Sequence, residues 1–196
     1  MARIPELVQR GFLDESGGIL AARTSRGIYV SPVQAGLNLR WRLTEDDFVL
    51  FPGEGDASMA KAGRRPSREN RVPRAVLNAR PDWNFVYHGH PPGLLAFALA
   101  GHPLPVTEYH SGLIKSGKHV EIPVAPQIPP GLPELASQVT ELIAEHFDGC
   151  RHGAVLLGGN GPLVAGIELE STFALLVTLE SVARAQSWRL KPPAVE

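Results

Sequence analysis

The sequence is poor in cysteine and contains no long apolar run. Cys150 is the single cysteine among 196 residues, so no disulfide can form within the chain and a reducing compartment is expected. The most apolar window, residues 94–100, is too short to cross a bilayer, which takes about 20 residues. The first residues also lack the apolar core of a signal peptide. These features predict a cytoplasmic protein with no membrane partner.

Neither sign of charge dominates, because 19 lysines and arginines stand against 20 aspartates and glutamates. This balance argues against nucleic acid as a partner. A local basic cluster lies between positions 64 and 74, and a solvated helix face is the favoured explanation for it. Its members are Arg64, Arg65, Arg68, Arg71 and Arg74. The length suffices to bury one core without disulfides, so we expect a single domain over residues 1–196.

The 18 prolines and 20 glycines divide the chain into short elements. Helical spacing of apolar residues predicts helices over 5–13, 71–79, 92–100, 133–147 and from 169 onward. Strands are predicted at 28–30, 48–51, 85–88, 113–115 and 120–124, and a hairpin joins 154–157 to 163–165. This order predicts a three-layer α/β fold, with a central, largely antiparallel sheet between layers of helices.

The segment 85–92, Phe-Val-Tyr-His-Gly-His-Pro-Pro, ends a predicted strand with two histidines. Alternate side chains of a strand share a face, so His88 and His90 can close on one ion. The chain has seven histidines, and such a pair would arise by chance in roughly one shuffled sequence in four or five. The pair therefore depends on its context.

That context resembles the class II aldolase/adducin family in three segments. Residues 65–69 read Arg-Pro-Ser-Arg-Glu, residues 80–91 read Arg-Pro-Asp-Trp-Asn-Phe-Val-Tyr-His-Gly-His-Pro, and residues 154–166 contain Gly-Gly-Asn-Gly. Glu69 and His88 are 19 positions apart, as in the family. The resemblance extends over almost the whole chain, and it implies the family's α/β fold and a homotetramer.

The resemblance also implies a function. His88 and His90 would bind a divalent metal, usually zinc, with manganese or another divalent ion as the alternative. Glu69 would be the acid/base carboxylate, and Tyr109, 19 residues after His90, would protonate a substrate oxygen. The expected activity is metal-dependent carbon–carbon cleavage of a small hydroxy-carbonyl compound, although the family also includes epimerases, dehydratases and decarboxylases.

The third metal ligand of the family is missing from its expected place. Asn160 stands where the family's Asn-His-Gly turn has its histidine, and an amide oxygen is a poorer zinc ligand than imidazole. Three other histidines are candidates to complete the site: His110, His119 and His152. A degenerate relative that serves binding or assembly is the alternative function.

The phosphate-binding residues of the family are also altered. Gly17-Gly18 replaces an early Gly-Asn turn, and Val33-Gln34 replaces a Thr-Gly or Ser-Gly pair. Ser67 keeps the first of two serines, while Arg68 takes the place of the second. The residues implied to bind substrate are Ser67, Arg68, Gly17 and Gly18. An arginine can pair with phosphate or carboxylate, so the substrate is either a sugar phosphate or a carboxylated analogue.

Overall fold

A seven-stranded sheet forms the centre of the protein in the computed structural model, which describes residues 3–53, 63–107, 114 and 120–187. The strands are β1 Ile19–Thr24, β2 Gly27–Val30, β3 Val49–Phe51, β4 Phe85–His88, β7 Val124–Ala125, β8 His152–Leu157 and β9 Gly161–Gly166. The strand order is β3-β2-β1-β4-β9-β8-β7, and β7 pairs in parallel with β8 while the other pairs are antiparallel. A separate antiparallel pair consists of β5 Leu104–Val106 and β6 Val120–Ile122.

The helices cover both faces of the sheet. They are α1 Ile4–Gln9, α2 Ala35–Leu39, α3 Arg71–Ala79, α4 Pro92–Ala100, α5 Pro133–Phe147 and α6 Leu169–Gln186. The α3 and α5 helices pack together on one face, and α4 and α6 pack together on the other. The predicted three-layer α/β fold with a largely antiparallel sheet is therefore confirmed. Among the described residues, no helix is both long and apolar enough to span a membrane.

The core lies where the hairpin β8–β9 meets the helix layers. Every residue of both strands is buried, and Trp83 and Phe147 are fully buried beside them. Gly153 of β8 has no room for a side chain, because a Cβ there would lie 2.7 Å from the Phe147 ring. This close approach brings α5 against the sheet.

The structure differs from the predicted elements at several points. The first helix ends at Gln9 instead of reaching residue 13, because Gly11 turns the chain with φ 70°. The predicted strand 120–124 is two strands in different sheets, separated at Pro123. The pattern also missed β1 and the short α2. Of the predicted strand 113–115, only Ile114 belongs to the described residues, and it lies in a turn.

Candidate active site

His88 ends β4, the strand at the middle of the sheet. Its neighbours across the sheet are Ile19 of β1 and Leu163 of β9, and the residue is only 2% exposed. Nδ1 lies 2.9 Å from the carbonyl oxygen of Pro162. A carbonyl can only accept, so Nδ1 carries the hydrogen and Nε2 keeps its lone pair. Burial lowers the pKa of His88, more than the hydrogen bond to Pro162 and the charge of Glu69 raise it, which favours the neutral ring.

His90 lies just beyond the end of the strand, with its ring edge-on to that of His88 and the ring centres 5.7 Å apart. Gly89 permits this arrangement, because a Cβ there would come under 3.0 Å from the Phe12 carbonyl oxygen and the Tyr87 hydroxyl. The His90 Nδ1 atom lies 3.0 Å from Ser16 Oγ. The structure thus brings the two histidines together, although only His88 belongs to the strand.

Asn160 approaches His88 from the turn between β8 and β9. Its side-chain Nδ2 lies 3.3 Å from His88 Nε2 and 3.5 Å from Glu69 Oε1. Gly161 shapes the turn with φ 114°, and a Cβ there would lie 2.6 Å from the Gly89 carbonyl oxygen. The hairpin loop is therefore held against the histidine segment, with the Asn160 amide between the imidazole and the carboxylate.

Glu69 reaches the site from the turn that precedes α3. This 3-10 turn, Arg68–Asn70, begins after Ser67, whose Oγ accepts a hydrogen bond from the Glu69 backbone at 3.2 Å. The turn brings Glu69 Oε1 to 3.5 Å from Asn160 Nδ2. The carboxylate is half-buried, so it can meet both a bound molecule and the imidazole pair.

The other predicted substrate-binding residues lie around this centre. A Cβ on Gly17 would lie 3.2 Å from His90 Cε1, whereas one on Gly18 would meet the Leu13 side chain at 2.7 Å. Gly17 thus borders the site, and Gly18 packs behind it with φ 122°. Arg68 is exposed next to Glu69. Gln34 has φ 56°, a conformation that glycine adopts most readily.

Of the three histidines that were candidates to complete the metal site, the structure describes only His152. His152 is at the opposite end of β8 from the hairpin turn, with its Nε2 2.7 Å from Ser171 Oγ. It is too distant to complete the site, so it is removed from the candidates. The predicted catalytic Tyr109, together with His110 and His119, lies outside the described residues.

Sequence reasoning missed the loop that holds His90. Asp14 Oδ1 accepts hydrogen bonds from the Ser16 hydroxyl at 2.6 Å and from the backbone N–H groups of Ser16 and Gly17 at 2.9 and 3.2 Å. The same oxygen lies 3.4 Å from His90 Nδ1. Burial raises the pKa of Asp14, but the hydrogen bonds from Ser16 and His90 together lower it by more, so the net pKa lies below the usual value. The signal in the sequence was an Asp-x-Ser-Gly turn, typical of a carboxylate that binds its own backbone.

The possible metal-ligand atoms at this centre come from His88, His90 and Asn160, and their positions show how far they suit one ion. Among the residues that the structure describes, no three His, Cys, Asp or Glu side chains are placed to hold one ion. Two imidazoles offer Nε2, however, and a half-turn of the Asn160 amide would put Oδ1 where Nδ2 lies, 3.3 Å from His88 Nε2. Ligands about 2.1 Å from a tetrahedral ion stand about 3.4 Å apart. The spacing of His88 Nε2 and Asn160 therefore suits two ligands of one divalent ion, and two imidazoles with one amide oxygen are a weaker ligand set than three imidazoles.

Comparison with known proteins decides the family. Residues 2–187 match the family model described as "Class II Aldolase and Adducin N-terminal domain". The chain belongs to the class II aldolase and adducin family. The family member "L-fuculose phosphate aldolase" of Escherichia coli O157:H7 is 27% identical, over 91% of this chain and 76% of its own.

Two further family relatives extend the comparison. The "3-oxo-tetronate 4-phosphate decarboxylase" of Cupriavidus necator is 29% identical, over 91% of this chain and 77% of its own. A solved "L-fuculose 1-phosphate aldolase" structure superimposes with a TM-score of 0.78 at 21% identity, covering 100% of this chain and 87% of that one. The structural likeness supports the class II aldolase fold.

Proposed function

We propose that this class II aldolase family member is a lyase that cleaves a carbon–carbon bond in a small hydroxy-carbonyl compound. The observation that carries the proposal is the pair of imidazoles of His88 and His90 beside the carboxylate of Glu69. The Nδ1 atom of each ring is already in a hydrogen bond, with the Pro162 carbonyl oxygen and with Ser16 Oγ respectively. The lone pair of each ring is then on Nε2, and that of His88 lies 3.3 Å from Asn160 Nδ2. Relatives whose names describe sugar-phosphate aldolases and a decarboxylase agree with such chemistry.

The ion that we propose is zinc, with manganese or another divalent ion as the alternative. His88 and His90 would hold it through Nε2, and the Asn160 amide oxygen would be the third protein ligand. When bound, the ion would supply Lewis-acid polarisation of the substrate carbonyl. The hydrogen bonds at the two Nδ1 atoms fix the rings in the orientation that such binding requires.

Glu69 is proposed to move the proton. In cleavage of a hydroxy-carbonyl compound, the hydroxyl loses its proton as the carbon–carbon bond breaks, and the bond's electron pair stays on the carbon beside the carbonyl. A carboxylate can take a proton and later return one to that carbon. In the structure Asn160 Nδ2 lies 3.5 Å from Glu69 Oε1, so the carboxylate lies at the same centre as the amide and His88. Tyr109 remains the predicted donor to the substrate oxygen.

The charged end of the substrate is proposed to lie near Ser67, Arg68, Gly17 and Gly18. Gly17 lies directly beside the His90 ring, where an added Cβ would come within 3.2 Å of Cε1. The exposed guanidinium of Arg68 can bind phosphate or carboxylate in a bidentate manner. A sugar phosphate and a carboxylated analogue are therefore both substrate classes for the test.

A binding or assembly role is the second candidate, and Asn160 is the observation that favours it. Its N–H donates toward His88 Nε2, the atom that an ion would need. If this bond persists in the presence of metal, the site binds no ion and the fold serves another purpose.

We also propose a cytoplasmic homotetramer; a monomer at micromolar concentration in sedimentation would contradict the assembly.

The test is a cleavage assay on a panel of hydroxy-carbonyl compounds with and without phosphate, in the presence of zinc or manganese. We expect product from at least one substrate class, and a loss of about 100-fold or more in kcat for Glu69→Gln, because general acid–base catalysis contributes 10²–10⁴-fold. Glu145→Gln, on a carboxylate that is 75% exposed on α5, is the matched control. No product from the whole panel, or full activity of Glu69→Gln, would refute the proposed lyase.

A further inference from the structure

The loop 14–17 contacts the His90 ring through Ser16 and Asp14, and the family resemblance gave neither of these two residues a role. Ser16 Oγ lies 3.0 Å from His90 Nδ1 and 2.6 Å from Asp14 Oδ1. A carboxylate can only accept, so the Ser16 hydroxyl donates its one hydrogen to Asp14. The lone pairs of Ser16 Oγ are left for His90, whose Nδ1 must then carry the hydrogen.

The carboxylate of Asp14 is itself held in place by the backbone. Its Oδ1 accepts from the N–H groups of Ser16 and Gly17. The Asp14 carbonyl oxygen accepts from the indole Nε1 of Trp41 at 2.7 Å, and Trp41 is buried. The loop is therefore anchored to the core behind it, and its orientation does not depend on His90.

We propose that Ser16, oriented by Asp14, is a positioning residue that fixes His90 with hydrogen on Nδ1 and a free lone pair on Nε2. His88 reaches the same state through a different acceptor, the Pro162 carbonyl. The two rings thus have the same tautomer for independent reasons. Hydrogen bonding of this kind raises the basicity of a metal-bound imidazole, which matters most where an amide replaces a third imidazole. This consequence for ion binding rests on the function proposed above.

The direct test reads the tautomer of His90 from the ¹⁵N chemical shifts of its ring in metal-free protein, at a pH where the ring is neutral. We expect hydrogen on Nδ1 in the wild type and in Ser16→Thr, which keeps the hydroxyl. Ser16→Ala should weaken this preference, since only Asp14 Oδ1, 3.4 Å from Nδ1, then remains as an acceptor. Ser137→Ala, a change at an exposed serine of α5, should keep it in full. Hydrogen on Nε2 in the wild type, or an unchanged tautomer in Ser16→Ala, would overturn the inference.

A second measurement separates the inference from the proposed function. Affinity for Co²⁺, read from its visible spectrum, should fall about tenfold in Ser16→Ala, since partners of ligating histidines contribute 10–100-fold, and should recover in Ser16→Thr. Equal Co²⁺ affinity of Ser16→Ala and wild type would count against the inference. If the wild type binds no Co²⁺, the proposed ion is wrong, and the tautomer measurement alone decides the role of Ser16.

Discussion

The replacement Glu180→Gln is expected to destabilise the fold through the helix that follows the histidine pair. Glu180 is 3% exposed, and its Oε1 and Oε2 accept from the backbone N–H groups of Gly93 at 3.0 Å and Leu94 at 2.9 Å. These are the first N–H donors of α4, because Pro91 and Pro92 have none. The carboxylate thus caps a helix that begins two residues after His90.

The magnitude follows from the two bonds. A glutamine keeps one acceptor oxygen, so one buried N–H loses its partner and meets an amide N–H instead, at a cost of about 1–3 kcal/mol. The variant also removes the charged partner of Arg184, but the Arg184 side chain is 57% exposed, so water can solvate its guanidinium and the cost comes mainly from the cap. A change of 1 kcal/mol shifts Tm by about 2–4 °C in a chain of this size. A cost of about 2 kcal/mol, the middle of the range, gives an expected decrease of about 4–8 °C.

The assay is thermal unfolding followed by circular dichroism, with Glu170→Gln as the matched control on the same helix. Glu170 is 64% exposed and pairs with Arg3, so its replacement should lower Tm by less than about 3 °C. Equal shifts for the two variants would refute the assignment of Glu180 as the cap of α4.

Two further predictions concern packing and pH. Gly89→Ala should lower the free energy of unfolding in urea by about 3 kcal/mol or more, because an added Cβ has no space there. Gly53→Ala, with open space around it, should change that free energy by less than about 1 kcal/mol. Similar costs for the two variants would contradict the close packing at Gly89. The backbone and hydroxyl of Thr44, together with Arg64, lower the pKa of Asp47 from 3.8 to about 2. Its stabilisation is therefore complete above about pH 4 and is lost as the pH falls through about 2. Asp47→Asn should show a smaller fall in Tm over this range than wild type, and an equal fall would contradict the cause.

Elements with strong local signals could be predicted from the sequence. The α4 helix has the bounds 92–100 that Pro92 and Gly101 indicate, and α5 begins at Pro133 as expected. The β8–β9 hairpin follows from its Gly-Gly-Asn-Gly turn. In each case the residue that starts or ends the element restricts the backbone by its own chemistry, so no distant contact was needed.

Elements that depend on distant contacts could not be predicted. The β1 strand contains Leu-Ala-Ala-Arg, a sequence with low β propensity, and it is a strand because it pairs on both sides with β2 and β4. The α2 helix is bounded by Gln34 and Arg40, both in the left-handed region, where non-glycine residues are uncommon. Pairing and packing determine these conformations, and neither leaves a local pattern.

The candidate site likewise contains both local motifs, which the sequence indicates, and contacts between distant residues, which it does not. The His-x-His spacing and the segment containing Glu69 are local motifs, and the structure places both beside Asn160. The contact of Ser16 with His90 joins residues 74 positions apart, so the sequence alone gave no reason to connect them. The roles of these residues remain predictions.

Zinc affinity tests the account most directly. Competition with a chromophoric chelator should show one ion per chain in the wild type, no such binding in His88→Ala, and tighter binding in Asn160→His, which supplies a third imidazole. His102→Ala, at an exposed histidine, should bind as the wild type does. Retention of full zinc affinity by His88→Ala, or no zinc binding by either the wild type or Asn160→His, would contradict the proposed site.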